Sequence, residues 1–402
     1  MKITVNLYCL GIDIVFVGLM LSDLFAVTEL GYFDEIVGVL FAALCVYYLC
    51  KNRRKLQKTT WHLLLCLFGI GCVGLLSNAV YMVQPSILIV LQGAFLFMKQ
   101  YFYGLPLLIS IGEHSSSGTY SFMLSLSKCM LLALTILALA NLVFNLGMTG
   151  PNGEFAFYAQ FGGTVSCWVI LFLAICYSEQ KGNRVLWFSM ATVIILLTQS
   201  GLGMLGIGLI VMVYLFLEKQ KRFHWYYLIP ILLIAIAISW REISSYLLDP
   251  TAPRAELLIY AFVTANTYFP LGSGFSTYAS SMAVTHYSQL YYQYGFNRQW
   301  GMSPDNALFL MDSYYPMIIG ETGYLGLLIF GIMIFLYVRK VIFAIKNKQV
   351  QNSALYLYTF LLAAGLGFGT GSSWGCAVYM LIPIFMEQGN FVGRRRNLNV
   401  KD

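Results

Sequence analysis

Residues 240–316 read WREISSYLLDPTAPRAELLIYAFVTANTYFPLGSGFSTYASSMAVTHYSQLYYQYGFNRQWGMSPDNALFLMDSYYP, the one long polar break in an otherwise almost continuously apolar chain. The contrast decides the fold class. The 402-residue chain is 59% apolar and only 10% charged, whereas a soluble domain carries about 25% charged residues. A single water-soluble core is therefore excluded. Outside the break, apolar runs recur at the length a helix needs to cross about 30 Å of hydrocarbon. Lipid offers no partners to backbone amides, so each run is expected to satisfy its own as an α-helix.

Working outward, hydropathy gives twelve spans: about 5–22, 36–50, 61–82, 86–111, 129–147, 161–177, 185–199, 202–217, 226–239, 317–338, 354–369 and 372–387. The expected architecture is all-α and polytopic. Residues 1–239 supply nine spans, 240–316 form one large extracytoplasmic loop, and 317–402 supply three more spans and a basic tail. Charge orients them. With both termini in the cytoplasm, 20 of the 24 Lys and Arg lie inside, and only Arg241, Arg254 and Arg298 lie outside. That asymmetry follows the positive-inside rule. The net charge of +7 then reports topology and contact with membrane lipid, with no call for nucleic acid.

All nine cysteines fall in or at the ends of spans, without CxxC or Cys/His spacing. They read as small packing residues, and neither a metal nor any other cofactor is expected. No fixed-period repeat is visible, which counts against a carrier built from matched halves.

Within the break, Asp249 to Pro253 is a breaker cluster. Arg254 to about Phe269 carries apolar residues at helical spacing and ends at Pro270. A flexible turn, Leu271 to Phe275, follows. Part of the segment fits an amphipathic helix lying on the membrane surface. Tyr278 to Tyr294 holds five tyrosines and His286 without a clean period, and 307–315 reads as a short helix or re-entrant piece.

The order of these pieces resembles the O-antigen polymerase and ligase superfamily. The residues concerned are R-x2-L-x2-Y from Arg254, P-L-G-S-G-F from Pro270, S-P-D-N-A-L-F-L around Asp305-Asn306, and I-G-E-T-G-Y-L-G-L around Glu321, Gly323 and Gly326. Ligases of that family usually carry His where this chain has Asp305, so the likeness leans to Wzy-type polymerases, and no catalytic His carries over to 305. The resemblance implies a GT-C-like, metal-independent glycosyltransferase of a bacterial cytoplasmic (inner) membrane. Its donor would be a polyprenyl-diphosphate-linked oligosaccharide, and its pathway partners a flippase and a chain-length regulator. A ligase moving finished glycan to another acceptor and a flippase of lipid-linked sugar are the alternatives.

Such chemistry needs cations for the diphosphate, best met by arginine, and a base for the acceptor hydroxyl. Arg254, Asp305 and His286 are the expected catalytic residues; Arg241, Arg298, Lys99, Glu321 and Asp312 are the expected substrate contacts. The tyrosines of 278–294 are expected to serve as sugar platforms. Each residue also has a plainer role. Arg254 could anchor at the interface or pair with Glu256. Arg241 could mark a membrane boundary, His286 could be an ordinary loop histidine, and Glu321 could favour a helix N-terminus. Lys99, inside a span, is costly unless paired, and Asp13 is a conceivable partner.

Overall fold

The structure is a computed structural model that describes residues 7–26, 32–52, 58–109, 117–159, 161–180, 182–213, 252–367 and 373–398, together with Leu233, Ser244, Asp249 and Gly369. Among the described residues the chain is all-helical, with two isolated bridges and no strand. The helices before the polar segment are α1 (Leu7–Leu24), α2 (Phe33–Asn52), α3 (Lys58–Tyr81), α4 (Ile87–Ile109), α5 (Ser117–Phe144), α6 (Gly162–Tyr177), α7 (Arg184–Thr198) and α8 (Gly201–Met212). The polar segment holds α9 (Pro253–Thr267), α10 (Ser281–Thr285) and α11 (Gln289–Gln293). After it come α12 (Tyr314–Ala344), α13 (Lys348–Ala364) and α14 (Ser373–Leu398).

Among the described residues, five stretches are long and apolar enough to cross a membrane: Phe33–Lys51, Lys58–Tyr81, Ile87–Ile109, Gly118–Phe144 and Tyr314–Ala344. At 1.5 Å per residue, even the shortest reaches about 28 Å. Gly162–Tyr177, Arg184–Thr198, Gly201–Met212 and Ser373–Met386 are apolar but shorter. These are the helices of a multi-pass membrane protein. The fifth helix begins about a dozen residues before its expected span, and the ninth expected span, 226–239, lies outside the described residues apart from Leu233, as does Arg241.

Burial follows the logic of a bundle in lipid. From Val165 to Tyr177 every residue of α6 is buried, because α5, α7, α8 and α13 pack around it. A helix apolar on all sides belongs in such a position. α3 instead buries Leu63, Leu67, Ile70 and Gly74 on one side and exposes Leu65, Phe68, Leu76 and Val80 on the other. Its inner stripe packs along α12.

α12 is not straight. Gly323, at φ 61° and ψ −163°, breaks it into two limbs. Tyr314 and Tyr315 on the first limb bring their rings to 6.1 and 6.5 Å from that of Phe330 on the second. A continuous helix would separate Tyr314 from Phe330 by about 24 Å. The limbs therefore fold toward one another, and the start of α12 turns back into the bundle. The sequence expectation of a short helix over 307–315 is corrected: residues 307–313 run through turns, and the helix begins at Tyr314.

The polar segment has a core of its own. Leu257, Ala261 and Ala265 of α9 pack with Tyr278, Leu290, Tyr291, Phe296, Met302, Leu310 and Ile319. α9 itself runs against α12, so this second core sits directly on the kinked helix.

Candidate functional site

The Pro270–Phe275 turn docks onto the kink of α12. Ser273 N–H donates to the Gly320 carbonyl (2.8 Å), Gly274 N–H to that of Glu321 (2.9 Å), and Leu325 N–H to that of Pro270 (3.2 Å). Gly272 and Gly323 both sit at positive φ, and a Cβ on either would overlap the other's backbone. Two glycines are needed here because two backbones meet without room for a side chain. From the other side, Asn78 of α3 grips Phe275 with both ends of its amide. Its Nδ2 donates to the Phe275 carbonyl (3.0 Å), and the Phe275 N–H donates to its Oδ1 (2.7 Å). Ser77 adds a hydrogen bond to the Gly272 carbonyl.

Glu321 lies fully buried beneath this turn. Its Oε1 accepts hydrogen bonds from Thr277 N–H (3.0 Å), Tyr278 N–H (3.3 Å) and Ser280 Oγ (2.6 Å). The carboxylate thus organises the backbone after the turn, and its neighbours are amides and a hydroxyl.

Arg254 opens α9, next to Pro253 in the first turn, where a missing N–H costs nothing. Its Nη2 lies 3.2 Å from Oδ2 of Asp312, and both side chains are about one-third exposed (28% and 32%). Burial raises the pKa of Asp312, and the Arg254 charge and hydrogen bond oppose that rise. The loop carrying Asp312 is pinned to the end of α13: Ser313 Oγ donates to the Leu366 carbonyl and Tyr314 N–H to that of Gly365, both at 2.9 Å. This brings Gly367 beside the guanidinium, so that a Cβ at 367 would stand 3.5 Å from Nη1. Glu256, the expected partner of Arg254, accepts a hydrogen bond from Gln299 Nε2 at 2.8 Å.

Three other expected site residues stand exposed in separate elements. His286 follows α10, Arg298 ends a 3-10 turn at Phe296–Arg298, and Asp305 occupies the turn bridged by Ser303 and Asn306. The tyrosines of 278–294 fill the local core more than they face outward. Tyr278 and Tyr291 are fully buried, Tyr287 and Tyr294 half-buried, and Tyr292 exposed. Tyr278 donates to the Leu257 carbonyl (2.8 Å), and the Tyr291 hydroxyl accepts from Ala279 N–H (2.8 Å). Of the five tyrosines expected as sugar platforms, only Tyr292 is exposed, and Trp300, which sequence reasoning passed over, is exposed as well.

Lys99 is paired elsewhere than expected. Its Nζ lies 2.6 Å from Asp34 and 3.0 Å from Glu35 at the start of α2. Tyr103 donates to the Asp34 carbonyl (2.7 Å). Asp13 lies beside Thr119 of α5 instead. Among the described residues, no group of three or more His, Cys, Asp or Glu converges as a metal site.

Sequence reasoning also missed Asn78, an ordinary residue near a span end, and the alternating run Gly365-Leu-Gly-Phe-Gly-Thr-Gly371. That run was visible as a pattern, and its Gly367 is the residue beside Arg254. Comparison with protein-family models, curated proteins and solved structures finds no match to this chain.

Proposed function

We propose that this multi-pass protein is a membrane glycosyltransferase that polymerises polyprenyl-diphosphate-linked oligosaccharide repeats on the outer face of a bacterial cytoplasmic membrane, with both termini inside. The observation that carries this reading is the union of separated sequence pieces. The Pro270–Phe275 turn and the Glu321–Gly326 region join by backbone hydrogen bonds, and the helix that opens at Arg254 packs on the same kinked α12.

In this scheme the acceptor sugar's hydroxyl oxygen attacks the donor's anomeric carbon. The bond from that carbon to the diphosphate oxygen breaks, and its electron pair leaves with the diphosphate. Arg254 holds the departing negative charge. A carboxylate or imidazole takes the hydroxyl proton, with Asp305 and His286 the exposed candidates. Arg298 and Tyr292 lie in the same segment to meet the sugar chain. A flippase supplying the donor and a chain-length regulator are the natural partners.

The test uses purified protein in detergent, supplied with a lipid-linked repeat and no ion gradient. Extension of the glycan supports the polymerase reading. No extension in detergent, with translocation of the lipid-linked sugar once the protein is reconstituted in vesicles, contradicts it in favour of a flippase; transfer only to a different acceptor contradicts it in favour of a ligase.

A further inference from the structure

We propose that a cavity inside the helical bundle binds one ordered water molecule, which donates a hydrogen bond to the Tyr379 carbonyl and accepts one from the Tyr337 hydroxyl. This inference is independent of the glycosyltransferase reading and concerns how the bundle holds a proline in its interior.

The need for a donor comes from the sequence. Pro383 lies inside α14 and is buried. A helical N–H at 383 would bond the carbonyl four residues earlier, and that residue is Tyr379. Proline carries no N–H, so the Tyr379 carbonyl goes without its helical donor. Lipid supplies no replacement. Within a membrane such groups are satisfied instead by neighbouring helices or by ordered water.

A second polar group stands beside this carbonyl. The Tyr337 hydroxyl of α12 is buried, and no group among the described residues hydrogen-bonds to it. Both oxygens flank Gly104, where α4 packs on α14. A Cβ there would stand 2.8 Å from the Tyr379 carbonyl oxygen and 3.1 Å from the Tyr337 hydroxyl. One water, with two hydrogen bonds of about 2.8 Å, spans oxygens up to about 5.6 Å apart.

The space for it is present. Tyr337 and Tyr379 line a cavity of about 10 Å³, together with Tyr101, Tyr358 and apolar residues of α3, α4 and α12. That is about the least volume that holds one water. Apart from Ile334, every lining residue is at most 7% exposed, so the cavity lies within the bundle. Packing holds the hydroxyls in place: the Tyr337 ring stacks 5.3 Å from that of Tyr358 and meets that of Tyr379 edge-on at 6.2 Å. Tyr101 and Tyr358 carry further hydroxyls for the water's remaining bonds. A dry cavity would leave the Tyr337 hydroxyl and the Tyr379 carbonyl unsatisfied, which is costly in a buried site. The water completes α14 at its proline and ties that helix to the second limb of α12.

The experiment is X-ray hydroxyl-radical footprinting of the full-length protein in detergent, in which bound water yields radicals that oxidise adjacent side chains, read by mass spectrometry. Tyr337 should be oxidised despite its burial. Tyr356, equally enclosed, donates its hydroxyl to the Gly206 carbonyl at 3.0 Å and should stay unmodified. Tyr337 as inert as Tyr356 overturns the proposal. Tyr337→Phe reads the same bond by its sign. With the water, loss of the hydroxyl should lower the melting temperature by about 1–2 °C, the size of one hydrogen bond in a chain this long. Without it, removing an unsatisfied hydroxyl raises the midpoint or leaves it unchanged, and that result overturns the proposal. Pro383→Ala restores the N–H at 383, so Tyr337→Phe should cost less in that background; equal cost in both backgrounds overturns the bridge to Tyr379. Should either variant not fold, the footprint of the wild type decides.

Discussion

Lys99 and Arg254 are both cations held by carboxylates, yet their surroundings differ in every respect that matters. Lys99 is 7% exposed, with carboxylates at 2.6 and 3.0 Å and Tyr103 anchored to the same turn. Arg254 is 28% exposed, with Asp312 at 3.2 Å and a glycine alongside. Inside a bundle, a charge persists only if it is paired, and the pairing of Lys99 with Asp34 and Glu35 ties α2 to α4 in a closed group. At Arg254 the pair with Asp312 stands at the edge of the fold, where both side chains reach solvent. The two pairs differ in exposure and length, the buried one short and the exposed one longer.

Substitutions can break or sharpen this contrast. The largest effect on the fold is expected at Lys99→Met, which leaves Asp34 and Glu35 without their cation; removing one partner of a buried pair costs about 3–5 kcal/mol. Thermal unfolding in detergent should show a marked fall, and an unchanged midpoint would mean that the closed group is not structural. Next comes Asn78→Ala, which orphans the buried N–H and carbonyl of Phe275 at about 1–3 kcal/mol. Limited proteolysis should then cut faster between 269 and 281. Tyr291→Phe strips the acceptor from Ala279 N–H and should cost about 1 kcal/mol, read as a smaller shift of the same midpoint. The least effect on the fold is expected from Arg254→Ala, under about 1 kcal/mol, although its effect on glycan should be complete. A stability loss at Arg254 as large as that at Lys99 would erase the distinction.

Much of the helical frame was legible in sequence, because lipid forces apolar length and internal hydrogen bonding on every crossing segment. The helix read from Arg254 to about Phe269 is observed at Pro253–Thr267, since Pro at its start and Pro270 after it punctuate the chain. The partners were not legible. Asp34 and Glu35 lie 65 and 64 residues from Lys99, and no local pattern links them. The tyrosines misled because Tyr is amphipathic. With no period to separate inward from outward positions, a hidden core reads like a binding surface. Glu321 was placed on the right element, but the amides it collects come from a turn about 40 residues away.

The most direct test of the central claim joins glycan and fold in one variant. In a deletion strain carrying Arg254→Ala, lipid-linked glycans and the yield of folded protein are measured together. Single-repeat lipid-linked material, no polymer, and protein at near wild-type level and melting temperature are expected. Wild-type polymer in that strain would contradict the claim and remove Arg254 from the site.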